Sequence, residues 1–253
     1  MRAALLLTLS FVFFALIWAV HLPVSAYGIV RTLDQPGADV SGAEEELLHA
    51  GQAAVPALKS GLTSHAWPVR LRCARVLALS NDASGEDALL EDLRSTSPEA
   101  AATAEVYLLS IWERRDSPSA PVRAHIARLE SAHKDAEEIA LLTECLSRNP
   151  GWIGGYIHRA HAYFRSGEIM EARHDALVVL ALDVNQFEAM SILAQVFLLL
   201  NSPGDAYACL EQAVRVNPRL RTSLREDIRD IFKALDAERD RQRRERQRER
   251  PAV

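Results

Sequence analysis

The sequence predicts an all-α fold built from helix hairpins, and three observations predict it. Two internal periods, 31 residues and then 34, run through the chain, and each fits a helix pair joined by a short turn. Apolar residues recur at helical spacing inside each period, while Gly and Pro gather between the apolar stretches. Aromatic residues make up only 6% of the chain although 49% of it is apolar, a balance that favours close-packed helices over sheets and provides for a sizeable core.

Before the repeats, residues 3–20 form an apolar run behind the single basic Arg2, followed by Val24, Ser25 and Ala26. That is the layout of an export signal, with a peptidase site before Tyr27. The run is also nearly long enough to span a bilayer, so residues 1–26 are read as a signal peptide or a membrane anchor. Either alternative places the rest of the chain in the cell envelope, outside the cytoplasm, as a single-pass anchored or a secreted or periplasmic protein. Residues 27–40 are read as a linker.

The first block covers residues 41–115 and opens on a capping box, with Ser41 as the cap and Glu44 reaching back. At an offset of 31, Ala57 pairs with Ala88, Leu58 with Leu89, Leu62 with Leu93, Val69 with Ala100, Cys73 with Ala104 and Leu77 with Leu108. Pro56 sits in the first helix of the hairpin, and Pro68, Val69 and Arg70 open the second. In these residues the block resembles HEAT repeats; its second unit departs from the pattern, with Ala100 and Ala101 in place of Val-Arg.

A linker at residues 116–120 leads to a second block, residues 121–218. Here the period is 34: Tyr156 pairs with Met190, Ala160 with Ala194, Tyr163 with Phe197, Ala172 with Ala206 and Ala176 with Leu210. Asn149 and Pro150 return as Asn217 and Pro218 two periods on. Small residues let two helices approach, and a large ring fills the hole beside the contact. The pattern resembles the tetratricopeptide repeat over residues 151–218, with a degenerate copy before it. Together the resemblances imply a short right-handed α-solenoid, HEAT-like then tetratricopeptide-like, preceded by the N-terminal hydrophobic helix. Leu220, Leu224, Ile228, Ile231, Phe232 and Leu235 then form the apolar stripe of a capping helix over 219–236. Residues 237–253 make a charged tail, whose stretch 238–250 holds seven Arg against four acids.

The resemblance also implies a partner. In tetratricopeptide repeats the first helix of each hairpin lines a peptide-binding groove, and the matching positions are Ile157, His158, His161, Phe164 and Arg165, then Glu188, Ser191, Ile192, Gln195, Leu198 and Leu199 in the next unit. His158, His161 and Arg165 share one helix face, which would suit a carboxylate-bearing peptide gripped by the guanidinium. The lysine and asparagine clamp of the chaperone-binding subfamily is missing.

Other chemistries find little footing. The net charge of −5 argues against phosphate-backbone binding, so no nucleic-acid partner is expected. There is no phosphate-cradling Gly-rich loop, no GxSxG elbow, no HExxH helix and no CxxC pair. Cys73, Cys145 and Cys209 are far apart and fall in apolar helical stretches, as buried free thiols do. His174 belongs to the partner helix and should point away from His158 and His161, so three histidines are not expected to converge on a metal. No catalytic residue, cofactor or small-molecule substrate is expected. The chain reads as a non-catalytic interaction scaffold binding a protein or peptide, with an accessory or maturation subunit of an envelope enzyme as the alternative.

Overall fold

The computed structural model describes residues 26–33 and 39–223, and within them every regular element is helical. The predicted leader (1–26) apart from Ala26, most of the predicted cap and the Arg-rich tail lie outside the described residues; of the cap, only Arg219 and α13 (Leu220–Ser223) are described. Among the described residues no helix is long and apolar enough to cross a membrane. The chain divides into two compact units, Met1–Ile111 and Trp112–Val253.

The first unit begins with α1, residues 26–32, in the segment assigned from sequence to the leader's end and a linker. It is helical because it has a core to join: Ala26, Val30 and Leu33 are buried with Leu47, Leu58, Cys73 and Leu77. Next come α2 (Val40–Ala50), a single 3-10 turn (Gly51–Ala53), α3 (Val55–Gly61), α4 (Trp67–Leu79), α5 (Ala83–Asp92) and α6 (Pro98–Arg114), whose last residues, from Trp112 on, belong to the second unit. The expected capping box is corrected. Asp39, not Ser41, caps α2, accepting a hydrogen bond from the Gly42 amide at 3.0 Å. Glu44 cannot reach back, because its carboxylate is held across the core by Arg75 of α4.

The 31-residue period is visible as burial. Leu58 and Leu89, Val69 and Ala100, Cys73 and Ala104, and Leu77 and Leu108 are all buried, as each hairpin turns the same positions inward. Prolines at the starts of α3, α4 and α6 cost no helical hydrogen bond there and preset the backbone. Arg70 of α4 ties α5 down through a two-pronged pair with Asp92, at 2.8 and 2.6 Å.

In the second unit, α7 (Ala120–Ser131), α8 (Asp135–Arg148), α9 (Ile153–Ser166), α10 (Ile169–Leu182), α11 (Phe187–Leu199) and α12 (Pro203–Val216) follow as three hairpins, each helix packed on its neighbours in sequence. The starts of α9 and α11 and those of α10 and α12 are each 34 residues apart, so the sequence period is the structural one. Ala160, Ala172, Ala194, Ala206 and Ala213 are at most 1% exposed, at the crossings where only a methyl group fits. Gly167 turns α9 into α10 in the left-handed conformation (φ 83°), which a side chain would strain. Between these helices Arg159 makes a two-pronged pair with the buried Asp175, at 2.7 and 2.8 Å, while its guanidinium lies near the rings of Tyr156 and Tyr163.

Candidate functional site: a histidine and carboxylate cluster

Trp152 anchors the beginning of α9. Its ring is wholly buried, and its indole N–H donates to the Glu113 carbonyl at 2.8 Å. Two glycines allow that approach: a Cβ on Gly155 would meet the Trp152 ring at 2.3 Å, and one on Gly154 would meet Glu113 Oε2 at 2.1 Å. The Glu113 carboxylate therefore rests over the first turn of α9, beside His158.

His158 Nε2 lies 3.3 Å from Glu113 Oε2, and its Nδ1 lies 3.7 Å from Glu130 Oε2 at the end of α7. Two turns further along α9, Arg165 is already occupied. It donates to Asp135 Oδ1 and to Glu138 Oε2, each at 2.7 Å, and its Nη1 stands 3.9 Å from Glu130 Oε1. Three carboxylates, those of Glu130, Asp135 and Glu138, thus meet one guanidinium, and with Glu113 on His158 the patch is acidic even with both imidazoles protonated. The expected grip of Arg165 on a ligand carboxylate is corrected to the opposite polarity, because the degenerate hairpin α7–α8 supplies the carboxylates itself.

Burial works against the His158 imidazolium, but the hydrogen bond and charge of Glu113, with the charges of Glu130 and Glu138, outweigh it and raise its pKa. Burial lowers that of His161, assisted by His158 and Arg165 and opposed by Glu130. In a pH titration followed by NMR, His158 should titrate above about 6.5 and His161 below it. Their effects on stability have opposite signs. His158 contributes stability at low pH that is lost as pH rises through its raised pKa, whereas His161 costs stability as pH falls below about 6.5 toward its lowered one. Coincident midpoints would contradict this arrangement of charges.

The remaining predicted positions are more dispersed. Ile157 is 7% exposed and serves the core, and Phe164 is half-buried. Ser191 donates to the Phe187 carbonyl at 2.8 Å, and Gln195 donates to the Ser191 carbonyl at 3.4 Å, both on α11. His174 is exposed on α10, away from the cluster. Glu130 and Glu138, which the sequence did not single out, complete the site; they stand 28 and 20 residues before His158, at no spacing that marks a motif.

Elsewhere the thiols are poor nucleophiles. Burial pushes Cys73 up to about 12, with a further contribution from the Glu44 charge, and burial also raises Cys145 and Cys209. In the first unit an open cleft of about 540 Å³ is lined by Thr63, Ser64, Arg70, Ser84 and Asp92 among others, but the Arg70 and Asp92 charges in it satisfy each other.

The sequence matches no protein-family profile and no curated protein. Among solved structures, the chain is similar to a yeast protein, in the complex "TPR2AB-domain:pHSP90-complex of yeast Sti1", at 17% identity over 76% of this chain and 81% of that one, with a TM-score of 0.41. A likeness of that extent leaves the fold to rest on the helices themselves, whose 34-residue register and buried alanines make the second unit a tetratricopeptide-like stack of helix hairpins.

Proposed function

We propose that this chain is a non-catalytic scaffold of the cell envelope that holds a partner protein against the face formed by α9 and α11. The observation that carries the reading is one of register. His161 and Gln195, and likewise Arg165 and Leu199, occupy equivalent positions 34 residues apart on first helices that pack on one another, and none of the four is buried. Leu199 in particular is 60% exposed. A row of unburied polar and apolar groups on adjacent helices offers an extended segment both anchoring and orientation. The acidic groups at the α7–α9 end favour a partner segment carrying Lys or Arg there. The envelope assignment draws on the apolar run at residues 3–20, whose export would leave both units outside the cytoplasm.

A photo-crosslinking residue at position 161 or 195 should capture a partner in intact cells. The same residue at Met170 or Leu177, exposed on the second helix α10, should not. Equal capture at all four positions would move the interface off this face. A reporter active only outside the cytoplasm, fused after Val253, should be active; an inactive fusion would remove the envelope assignment and leave the binding face untouched.

A further inference from the structure

We propose that Glu130, Glu138 and His158 bind a divalent transition-metal ion of the Zn²⁺ class, with Glu113 holding the imidazole in position for it. The starting point is Glu138. Its side chain is 0% exposed, and its two oxygens are treated unequally: Oε2 accepts from Arg165, whereas Oε1 is buried without a hydrogen-bond partner. A buried carboxylate oxygen left unpaired is costly, so this position calls for a cation or a proton.

The Glu138 carboxylate has metal-binding groups as neighbours. One donor atom each from Glu130, Glu138 and His158 lie within 4.8 Å of one another. An ion with bonds of about 2.1 Å in tetrahedral geometry holds its ligands about 3.4 Å apart, so the widest separation must close by at most about 1.4 Å. The Glu130 side chain, 41% exposed, has the freedom to supply that movement. His158 is already turned for the purpose. Glu113 Oε2 takes the proton on Nε2, which leaves the Nδ1 lone pair directed toward Glu130, the carboxylate–histidine arrangement that orients imidazole ligands of metals.

Charge and donor type agree. Arg165 is held by Asp135 Oδ1 and by the other oxygen of Glu138, so the guanidinium neutralises the outer carboxylates and leaves Oε1 to the ion. His161 is the remaining titratable neighbour, and as a neutral ring it adds no opposing charge. An imidazole beside two carboxylates suits Zn²⁺ better than Mg²⁺ or Ca²⁺, which favour all-oxygen shells. Three protein ligands leave a coordination position open to water.

The test is a calorimetric titration of ZnCl₂ into the full, untagged chain after chelator treatment at about pH 7.5, where a neutral imidazole is accessible to a competing metal, with MgCl₂ in parallel. One Zn²⁺ per chain is expected, with no Mg²⁺ binding at the same concentrations. His158→Ala and Glu130→Ala, both at partly exposed side chains that the fold can lose, should each weaken Zn²⁺ by more than about 100-fold, and Glu138→Gln should do the same. Glu113→Gln should weaken it by about tenfold without moving the thermal midpoint of the metal-free chain, as befits a positioning residue. His174→Ala, on exposed α10, should bind as the wild type does. Wild-type chain that takes up no Zn²⁺, or a His158→Ala variant with undiminished affinity, overturns the proposal.

Discussion

Replacing Asp175 by alanine is expected to destabilise the second unit by about 3–5 kcal/mol, the cost of leaving a buried charge without its partner. Asp175 is 1% exposed, and both of its oxygens are taken by the Arg159 guanidinium, which also donates to Thr143 Oγ1 at 3.0 Å. The pair joins α9 to α10, the two helices of one hairpin. In the variant, Arg159 would keep its place near Tyr156 and Tyr163 with a single neutral acceptor for a charge that is only 14% exposed. Removing both ends should cost less than removing one. Arg159→Met with Asp175→Leu replaces the pair by apolar groups of similar length, and such exchanges are often close to neutral. Because the chain has two units and global melting need not be two-state, the measurement is amide hydrogen exchange resolved by helix. Protection should fall across α9 and α10 in the single variant and recover in the double one. A single variant that exchanges like the wild type would show that the pair contributes nothing net.

The periods that betray the repeats are legible in the sequence because burial forces them: each hairpin can cover its neighbour only with the same positions turned inward. Ala160 with Ala194 and Cys73 with Ala104 can therefore be paired from the sequence alone. Interactions that join different hairpins by polar contact leave no such trace. Arg165 looks free for a ligand in the sequence because Asp135 and Glu138 lie 30 and 27 residues upstream, on the degenerate hairpin where the small-residue signature fails. Glu44 looks like half of a capping box because local spacing satisfies the motif, whereas its actual partner, Arg75, is 31 residues away. The same holds for α1: seven residues after an apolar run carry little helical signal of their own, and their helix exists because Val30 and Leu33 find the core of the first unit.

Gly85→Ala is expected to be among the most damaging single-methyl additions in the chain, costing the first unit about 2–3 kcal/mol through overpacking. The reason lies in what surrounds the added atom. A Cβ built on Gly85 would stand 2.3 Å from the Ala74 carbonyl oxygen and 2.4 Å from the Ala78 amide nitrogen, both backbone atoms of α4, and 2.8 Å from Leu77 Cβ. Side chains can rotate out of the way, but backbone can yield only if the helices part. Parting is resisted at both ends of α5. The turn before it is tight, with Asn81 at φ 60° and Asp82 capping α5 by accepting from the Ser84 amide, and Arg70 clamps Asp92 at its far end. The control is Gly204, in the first turn of α12, where a Cβ meets nothing within 4 Å. There alanine has the better helix propensity, so Gly204→Ala should leave stability unchanged or raise it by up to about 1 kcal/mol. Hydrogen exchange should thus accelerate in α4 and α5 for Gly85→Ala and remain slow in α11 and α12 for Gly204→Ala. If Gly85→Ala proves as well protected as the wild type, α4 and α5 do not cross at the separation described, and the close packing assigned to the first unit is wrong at that crossing.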